Sequence, residues 1–265
     1  MNKFFSVGIP TYNSSKYIPE LLKKLTKLNY LKDIVIIDDN SKIEEQSKLE
    51  QIIADFQKST KLNINYYIND KNLGGFKNKY KVVSLCEQEL VYQIDSDNIL
   101  SNKTIRFLNN QKNLKKIEKN FIYLPYFVRL FENKSKYIEL RNKKLNLVKR
   151  ELTLNLNDLN NSINNKSNII QSFSIGYLLN IGNPVFHKND YLRYLKEGNL
   201  MDKNFFAADA IAAIFFWVKN GGEIYLNKNI GHSHRLRNDS YWHEGISSGE
   251  NHAHWTKEIL KLKTS

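Results

Sequence analysis

Over its first hundred residues the chain switches repeatedly between two hydrophobic periods, and few architectures accept that switching. Residues 4–9 read as a short buried strand, followed by helical spacing through Ile18, Leu21, Leu22, Leu25 and Leu28. Residues 33–38 (D-I-V-I-I-D) form a second apolar strand, followed by a helical stretch carrying Leu49, Ile52, Ile53 and Phe56. A third strand is expected at 64–68, a third helix at 77–86 and a fourth strand at 90–95. Strands apolar on both sides need cover on both faces, so the pattern predicts an α/β fold, a mostly parallel sheet flanked by helices. Ligands of such sheets bind at the carboxyl ends of the strands. That rule singles out Pro10-Thr11-Tyr12-Asn13, Asp38-Asp39-Asn40-Ser41 and Asp95-Ser96-Asp97.

The remainder of the chain is less regular. Residues 129–168 are rich in Lys, Arg and Asn, yet Leu140, Leu145, Leu147, Leu152, Leu154, Leu156 and Leu159 keep an apolar stripe. They read as a partly ordered lid or insertion, although an asparagine-biased genome explains the composition equally well. The expected division is an α/β half at 1–128, this insertion, and a second half at 169–265 that completes one domain. A strongly apolar helix is expected at 203–219, stopped by Gly221-Gly222.

Composition narrows the classes. Hydrophobic residues make up 41% of the 265, which excludes wholesale disorder. The longest nearly apolar run, residues 205–218, has 14 residues with Asp209 inside it; a bilayer span needs about 20. Met1-Asn2-Lys3 leads into a strand and not a signal-peptide core, so a cytoplasmic protein is expected. A lone cysteine, Cys86, excludes a disulfide framework and a cysteine-built zinc site. The net charge of +13 is concentrated: residues 101–150 carry 14 basic and 3 acidic groups, whereas residues 1–100 carry 14 and 13. A field of one sign on one stretch points to an anionic partner, and charge alone does not choose among nucleic acid, membrane and phosphorylated substrate.

Three motifs carry chemistry. In Asp95-Ser96-Asp97, carboxylates at i and i+2 on a turn can converge on a hard divalent cation together with phosphate oxygens. Asp38-Asp39-Asn40-Ser41 suits an Asx turn and helix N-cap through Asn40 and Ser41, leaving one aspartate for a base N–H or ribose hydroxyl. Five of six histidines fall at 232–254 (His232, His234, His243, His252 and His254), a cluster that in isolation suggests zinc.

Taken together, S-V-G-I-P-T-Y-N at 6–13, I-V-I-I-D-D-N-S at 34–41, N-L-G-G at 72–75 and Q-I-D-S-D-N-I-L at 93–100 resemble the nucleotide-binding half of family 2 glycosyltransferases with the GT-A fold. The resemblance implies a nucleotide-sugar donor with Pro10, Thr11, Tyr12 and Asp39 around its base and ribose. It further implies donor contacts from Gly74, Gly75, Lys79, Asp95 and Ser96, and a Mn²⁺ or Mg²⁺ ion on Asp97. An aspartate accepting an imino N–H suits uracil, as it would thymine, so UDP is the expected carrier. G-N-P-V-F at 182–186 is similar to the segment returning to the sheet near the acceptor. Where the family has a Glu-Asp pair, this chain reads Ala207-Ala208-Asp209, which leaves Asp209 as the expected general base. Its apolar surroundings would raise its pKa toward neutrality. Ile230-Gly231-His232 followed by Arg235 is similar to the segment that supplies a further metal ligand; His232 is the first candidate and His234 the second. Arg235 and Arg237 are expected on the donor diphosphate.

The resulting expectation is an inverting, metal-dependent transferase moving a hexose or N-acetylhexosamine to a glycan or lipid-linked acceptor in cell-surface polysaccharide synthesis. Retention stays open, because histidine-arginine segments recur in retaining GT-A enzymes. The alternatives are a sugar-nucleotide nucleotidyltransferase and a nucleic-acid-binding module. Val7-Gly8-Ile9-Pro10 is not the Gly-rich loop of the first, and the RNA and helix-turn-helix signatures of the second are absent, so no nucleic-acid partner is expected. With the donor phosphates met by the metal and arginines, the basic block is expected to meet an anionic acceptor or the inner membrane face.

Overall fold

The computed structural model describes residues 4–131, 144–146, 152–155, 158, 182–196 and 209–235. The chain begins β1 (Phe5–Thr11), a 3₁₀ turn (Ser15–Tyr17), α1 (Ile18–Leu25), β2 (Leu31–Asp38), α2 (Ile43–Ser59), β3 (Ile64–Ile68), α3 (Gly75–Leu85) and β4 (Leu90–Gln93). Next come β5 (Ile99–Leu100), α4 (Asn102–Leu108), α5 (Gln111–Lys115), β6 (Phe121–Phe131), β7 (Lys144–Asn146) and β8 (Leu152–Leu154). The described residues end with β9 (Val185–His187), α6 (Lys188–Leu195), α7 (Asp209–Lys219) and β10 (Glu223–Arg235). Of the insertion expected at 129–168, most residues lie outside the described ones, as do 203–208 at the start of the expected apolar helix. No helix among the described residues is long and apolar enough to cross a membrane.

The sheet runs β3-β2-β1-β4-β9-β6-β10-β5, with β7 on β6 and β8 on β10. The β3, β2, β1 and β4 ladder is parallel throughout, and β6 pairs with β10 in parallel too. The antiparallel β9 joins those two blocks. The expected α/β fold with a mostly parallel sheet is therefore present.

Alternation within β2 shows why this sequence makes a two-faced sheet. Ile34 and Ile36 join the apolar layer under α1, α2, α4 and α5, whereas Val35 and Ile37 join the layer under α3, α6 and α7. A period of two sends neighbours to opposite faces. Helix α7 is buried from Ile211 to Val218, so its apolar character all round reflects enclosure and not a membrane. It ends in a Schellman motif: Gly222 N–H donates to Trp217 O at 2.9 Å and Gly221 N–H to Val218 O at 3.2 Å, with Gly221 at φ 87°. The expected stop at Gly221-Gly222 is thus present in detail.

Two charged residues of α6 serve as ties within the fold. Asp190 is buried; it accepts from Asn120 N–H at 2.8 Å and pairs with Arg193 at 2.9 Å. Lys188 donates to Cys86 O at 2.9 Å. Sequence periodicity cannot reveal the ties to Asn120 and Cys86, because those partners are distant in the chain.

The end of β10 is aimed by an irregularity. Its register against β6 shifts between Asn227 and Gly231. Gly231 then donates to Thr104 Oγ1 at 2.9 Å, and its carbonyl accepts from that hydroxyl at 2.5 Å. A Cβ on Gly231 would lie 2.6 Å from Phe127 O and 2.7 Å from its ring. Gly231→Ala is accordingly expected to cost about 1–3 kcal/mol through overpacking, read as a lower urea midpoint at unchanged m-value. Stability equal to the parent would show that the strand end can shift freely.

Candidate active site

Parallel strands deliver their ends to one edge of the sheet. Thr11 at the end of β1 is in register with Asp38 at the end of β2, and Asp39 N–H donates to Thr11 O at 2.9 Å. Asn13 and Asn40 take up positive φ (46° and 59°), a conformation asparagine tolerates better than most residues. The Asx turn is made by Asp38, whose Oδ1 accepts from Ser41 N–H at 2.6 Å. Ser41 Oγ accepts from Asn13 N–H at 2.7 Å, and Lys42, not Asn40 or Ser41, occupies the N-cap of α2. The capping expectation is thus corrected: Asn40 turns the chain, and Ser41 ties this loop to the one after β1.

Asp39 also has a task within the fold that the sequence did not reveal. Its carboxylate accepts from Leu73 N–H, Gly74 N–H and Asn69 Nδ2, each at 2.8 Å. A carboxylate with three such donors fixes the whole 69–74 loop. Gly74, at φ 81°, then turns directly into α3. Asp39 is buried, and three of the roughly four lone-pair sites of its carboxylate are taken by these donors.

The loop's position decides where α3 starts, and α3 carries Lys79. The Lys79 ammonium lies 3.0 Å from Asp95 Oδ1 and 2.5 Å from Asp209 Oδ2, with 13% of the side chain exposed. Burial alone would push its pKa down; the carboxylates of Asp209 and Asp95 outweigh that and hold it above the usual lysine range. Gly75 leaves room for Asp209, since a Cβ there would sit 3.3 Å from Asp209 Cγ. Asp209 is the first described residue of α7. The apolar enclosure expected around Asp209 is therefore replaced by an ion pair, with 22% of the side chain exposed. Sequence could not show this, because Lys79 stands far from Asp209 along the chain.

Asp95 is held on its other side by the 182–183 turn. Asn183 Oδ1 accepts from Asp95 N–H at 2.8 Å, and Gly182 and Asn183 have φ of 64° and 57°. The buried Ser96 and the half-buried Asp97 follow. Arg235 closes the edge: its Nε donates to Asp97 O at 3.2 Å, and its Nη2 meets Glu20 Oε2 at 2.7 Å. Its guanidinium carbon lies 4.6 Å from the Tyr17 ring centroid, and the side chain is 4% exposed. Arg235 thus braces β10 against α1 and the D-x-D turn.

His232 and His234 share a face of β10, with ring centroids 6.0 Å apart. Burial, with His234 beside it, holds the His232 pKa well below the usual histidine value, so its ring is neutral, the form that ligates metals. Both His232 ring nitrogens and Nδ1 of His234 are buried without a hydrogen-bond partner among the described residues. Unpartnered imidazole nitrogens have the donor chemistry that a divalent transition-metal cation takes. No three His, Cys, Asp or Glu groups converge among the described residues. A cation here would therefore draw on phosphate oxygens and water, as Mg²⁺ commonly does.

Of the other expected site residues, Pro10 and Thr11 are buried in β1, Tyr12 is 45% exposed just beyond it, and Arg237 lies outside the described residues. The same holds for His243, His252 and His254. Sequence reasoning missed Glu20, Asn69 and the role of Asn183. Only Asn183 carried a signal, as an asparagine between glycine and proline in the G-N-P segment.

With this geometry in place, comparison with known proteins is informative. The sequence model of glycosyl transferase family 2 matches residues 6–175. Poly(ribitol-phosphate) beta-N-acetylglucosaminyltransferase TarS of Staphylococcus aureus is 35% identical over 106 residues, covering 38% of this chain and 18% of that protein. An uncharacterised glycosyltransferase of Mycoplasma genitalium is 32% identical over 124 residues, 46% of this chain and 41% of that one. The matches to these curated relatives thus span well under half of their length. Among solved structures, S. aureus TarS 1–349 in complex with UDP-GlcNAc superposes with a TM-score of 0.64 at 20% identity, covering 99% of this chain and 68% of that one. A Pyrobaculum calidifontis mannosyltransferase in complex with GDP-Man and Mn²⁺ gives 0.60 at 13% identity, covering 100% and 66%. These likenesses show the GT-A fold, and the family match over most of the chain shows that it belongs to glycosyl transferase family 2.

Proposed function

We propose that the protein transfers a hexose or N-acetylhexosamine from a UDP-sugar to a hydroxyl of an anionic, cell-surface glycan or its lipid-linked precursor, with inversion at the anomeric carbon. The observation that carries this reading is the convergence of Asp95 and Asp209 on Lys79 at the carboxyl edge of the sheet. One carboxylate comes from the D-x-D turn and the other from the acceptor-side half. UDP is supported by the fold shared with TarS 1–349, which is known in complex with UDP and with UDP-GlcNAc.

In this mechanism the loops after β1 and β2 and the fixed 69–74 loop seat the nucleotide. Asp209 takes the proton of the acceptor hydroxyl. The hydroxyl oxygen forms its bond to the anomeric carbon as the bond to the diphosphate breaks on the opposite face, and UDP leaves. Asp97 with His232 or His234 would hold Mn²⁺ or Mg²⁺, which neutralises charge on the departing diphosphate when bound. The apolar wall of α7 limits water around the base.

The acceptor reading rests on charge with a location. Lys103, Arg106, Lys112, Lys115, Lys116 and Lys119 are exposed on and around α4 and α5, with Glu118 the lone carboxylate in residues 101–120. Asn109 ties α4 to the end of α1 through Lys27 O (2.7 Å) and Asn29 N–H (2.8 Å), next to exposed Lys23 and Lys27. A cationic face of this kind recruits a polyanion or an anionic membrane surface.

Two measurements test this. UDP with Mn²⁺ is expected to raise the melting temperature, and Asp209→Asn to keep that shift while sugar transfer falls roughly 10²–10⁴-fold. Full transfer by Asp209→Asn would remove it as the base. Binding to anionic vesicles or a polyanion at physiological salt is expected to weaken at least about tenfold when Lys103, Arg106, Lys112 and Lys115 become Glu, with UDP affinity unchanged. Indifference to both lipid and polyanion would contradict the anionic-acceptor reading.

A further inference from the structure

The ammonium of Lys79 joins a carboxylate from each half of the site, and its surroundings define its task. It reaches Asp209 Oδ2 at 2.5 Å and Asp95 Oδ1 at 3.0 Å from the fifth residue of α3. Neither carboxylate is held by Lys79 alone. Asp95 is fixed through its backbone by Asn183 and lies within reach of Asn98 Nδ2 (3.5 Å). Asp209 rests over Gly75 at the start of α3, where a Cβ would crowd it. The helix itself is fixed on three sides. Asp39 holds the preceding loop, Asn78 Nδ2 donates to Ile37 O at 3.1 Å, and Gln93 Nε2 donates to Lys79 O at 3.2 Å. Lys79 therefore projects from a rigid frame, and the α7 carboxylate is the partner whose direction it sets.

We propose that Lys79 is a positioning residue for the catalytic base: its ammonium orients the Asp209 carboxylate toward the donor pocket and anchors it to the D-x-D turn through Asp95. This rests on the reading of Asp209 as base and deepens it. It also changes the role expected for Lys79, from a donor contact to a tie between carboxylates. Two anions held by one ammonium keep a fixed separation, and sub-ångström placement of a base decides rate more than donor affinity. The donor site and the base are then linked through a single side chain, so the base is in place only when the D-x-D turn is formed.

A double-mutant cycle tests this, using turnover of UDP-GlcNAc with water as acceptor and UDP binding by calorimetry. Lys79→Met is expected to lower kcat roughly 10²-fold while the donor KM and the UDP affinity change less than about threefold. Lys79→Arg should recover at least about tenfold of that loss. Combined with Asp209→Asn, Lys79→Met should add less than about threefold, because both changes disable one unit. Fully multiplicative losses would overturn the proposal, as would a Lys79→Met variant whose defect lies in KM and UDP affinity with kcat intact, the pattern of a donor ligand. If Lys79→Met fails to fold, the neutral Lys79→Gln takes its place: a lowered kcat at parental UDP affinity supports positioning, and parental kcat, or a loss confined to KM and UDP affinity, overturns it. Full activity of Asp209→Asn alone would instead remove the base assignment, a result separate from the effect of Lys79.

Discussion

Three backbone and amide donors on the Asp39 carboxylate set the geometry of everything downstream. They fix the 69–74 loop, the loop fixes the start of α3, and α3 carries Lys79 to the two carboxylates of the site. A buried carboxylate with this many partners is costly to disturb, since each lost partner leaves an unsatisfied group out of water. The edge built by β1 to β4 is thus organised by charge and hydrogen bonds laid over an apolar sheet. Across from it the apolar helix α7 provides the rigidity, and Asp209 is among its few polar groups.

Much of this was legible in the sequence. The alternation of apolar strands and periodic helices gave β1 to β4 and α1 to α3, with ends displaced by a few residues, because burial on both faces leaves an unmistakable pattern. The carboxyl-edge rule picks out the loops after β1, β2 and β4, which the parallel pairing does bring to one edge. Gly221-Gly222 ended α7 as expected, because a left-handed turn after a helix favours glycine.

The partners of charged groups were not legible. Arg235 could be read as a phosphate ligand because arginine suits phosphate, yet Glu20 and Tyr17 across the edge claim it. Asp209 looked enclosed by apolar residues because its sequence neighbours are apolar, whereas Lys79 from another element meets it. Asp39 looked available to a base because it ends a strand, and the N–H groups that occupy it come from a loop more than thirty positions on. In each case the composition of a short window was informative about burial and silent about pairing. Pairing in a parallel sheet is set by crossovers, which bring distant segments to the same edge.

The central claim is that this edge performs sugar transfer from a UDP-sugar with inversion, using Asp209. Proton NMR of UDP-GlcNAc turnover, recorded before mutarotation equilibrates the released sugar, tests it most directly. The α-linked donor should yield the β anomer first, in a Mn²⁺- or Mg²⁺-stimulated reaction that Asp209→Asn suppresses. Initial release of the α anomer, or turnover that ignores Asp209, would contradict it.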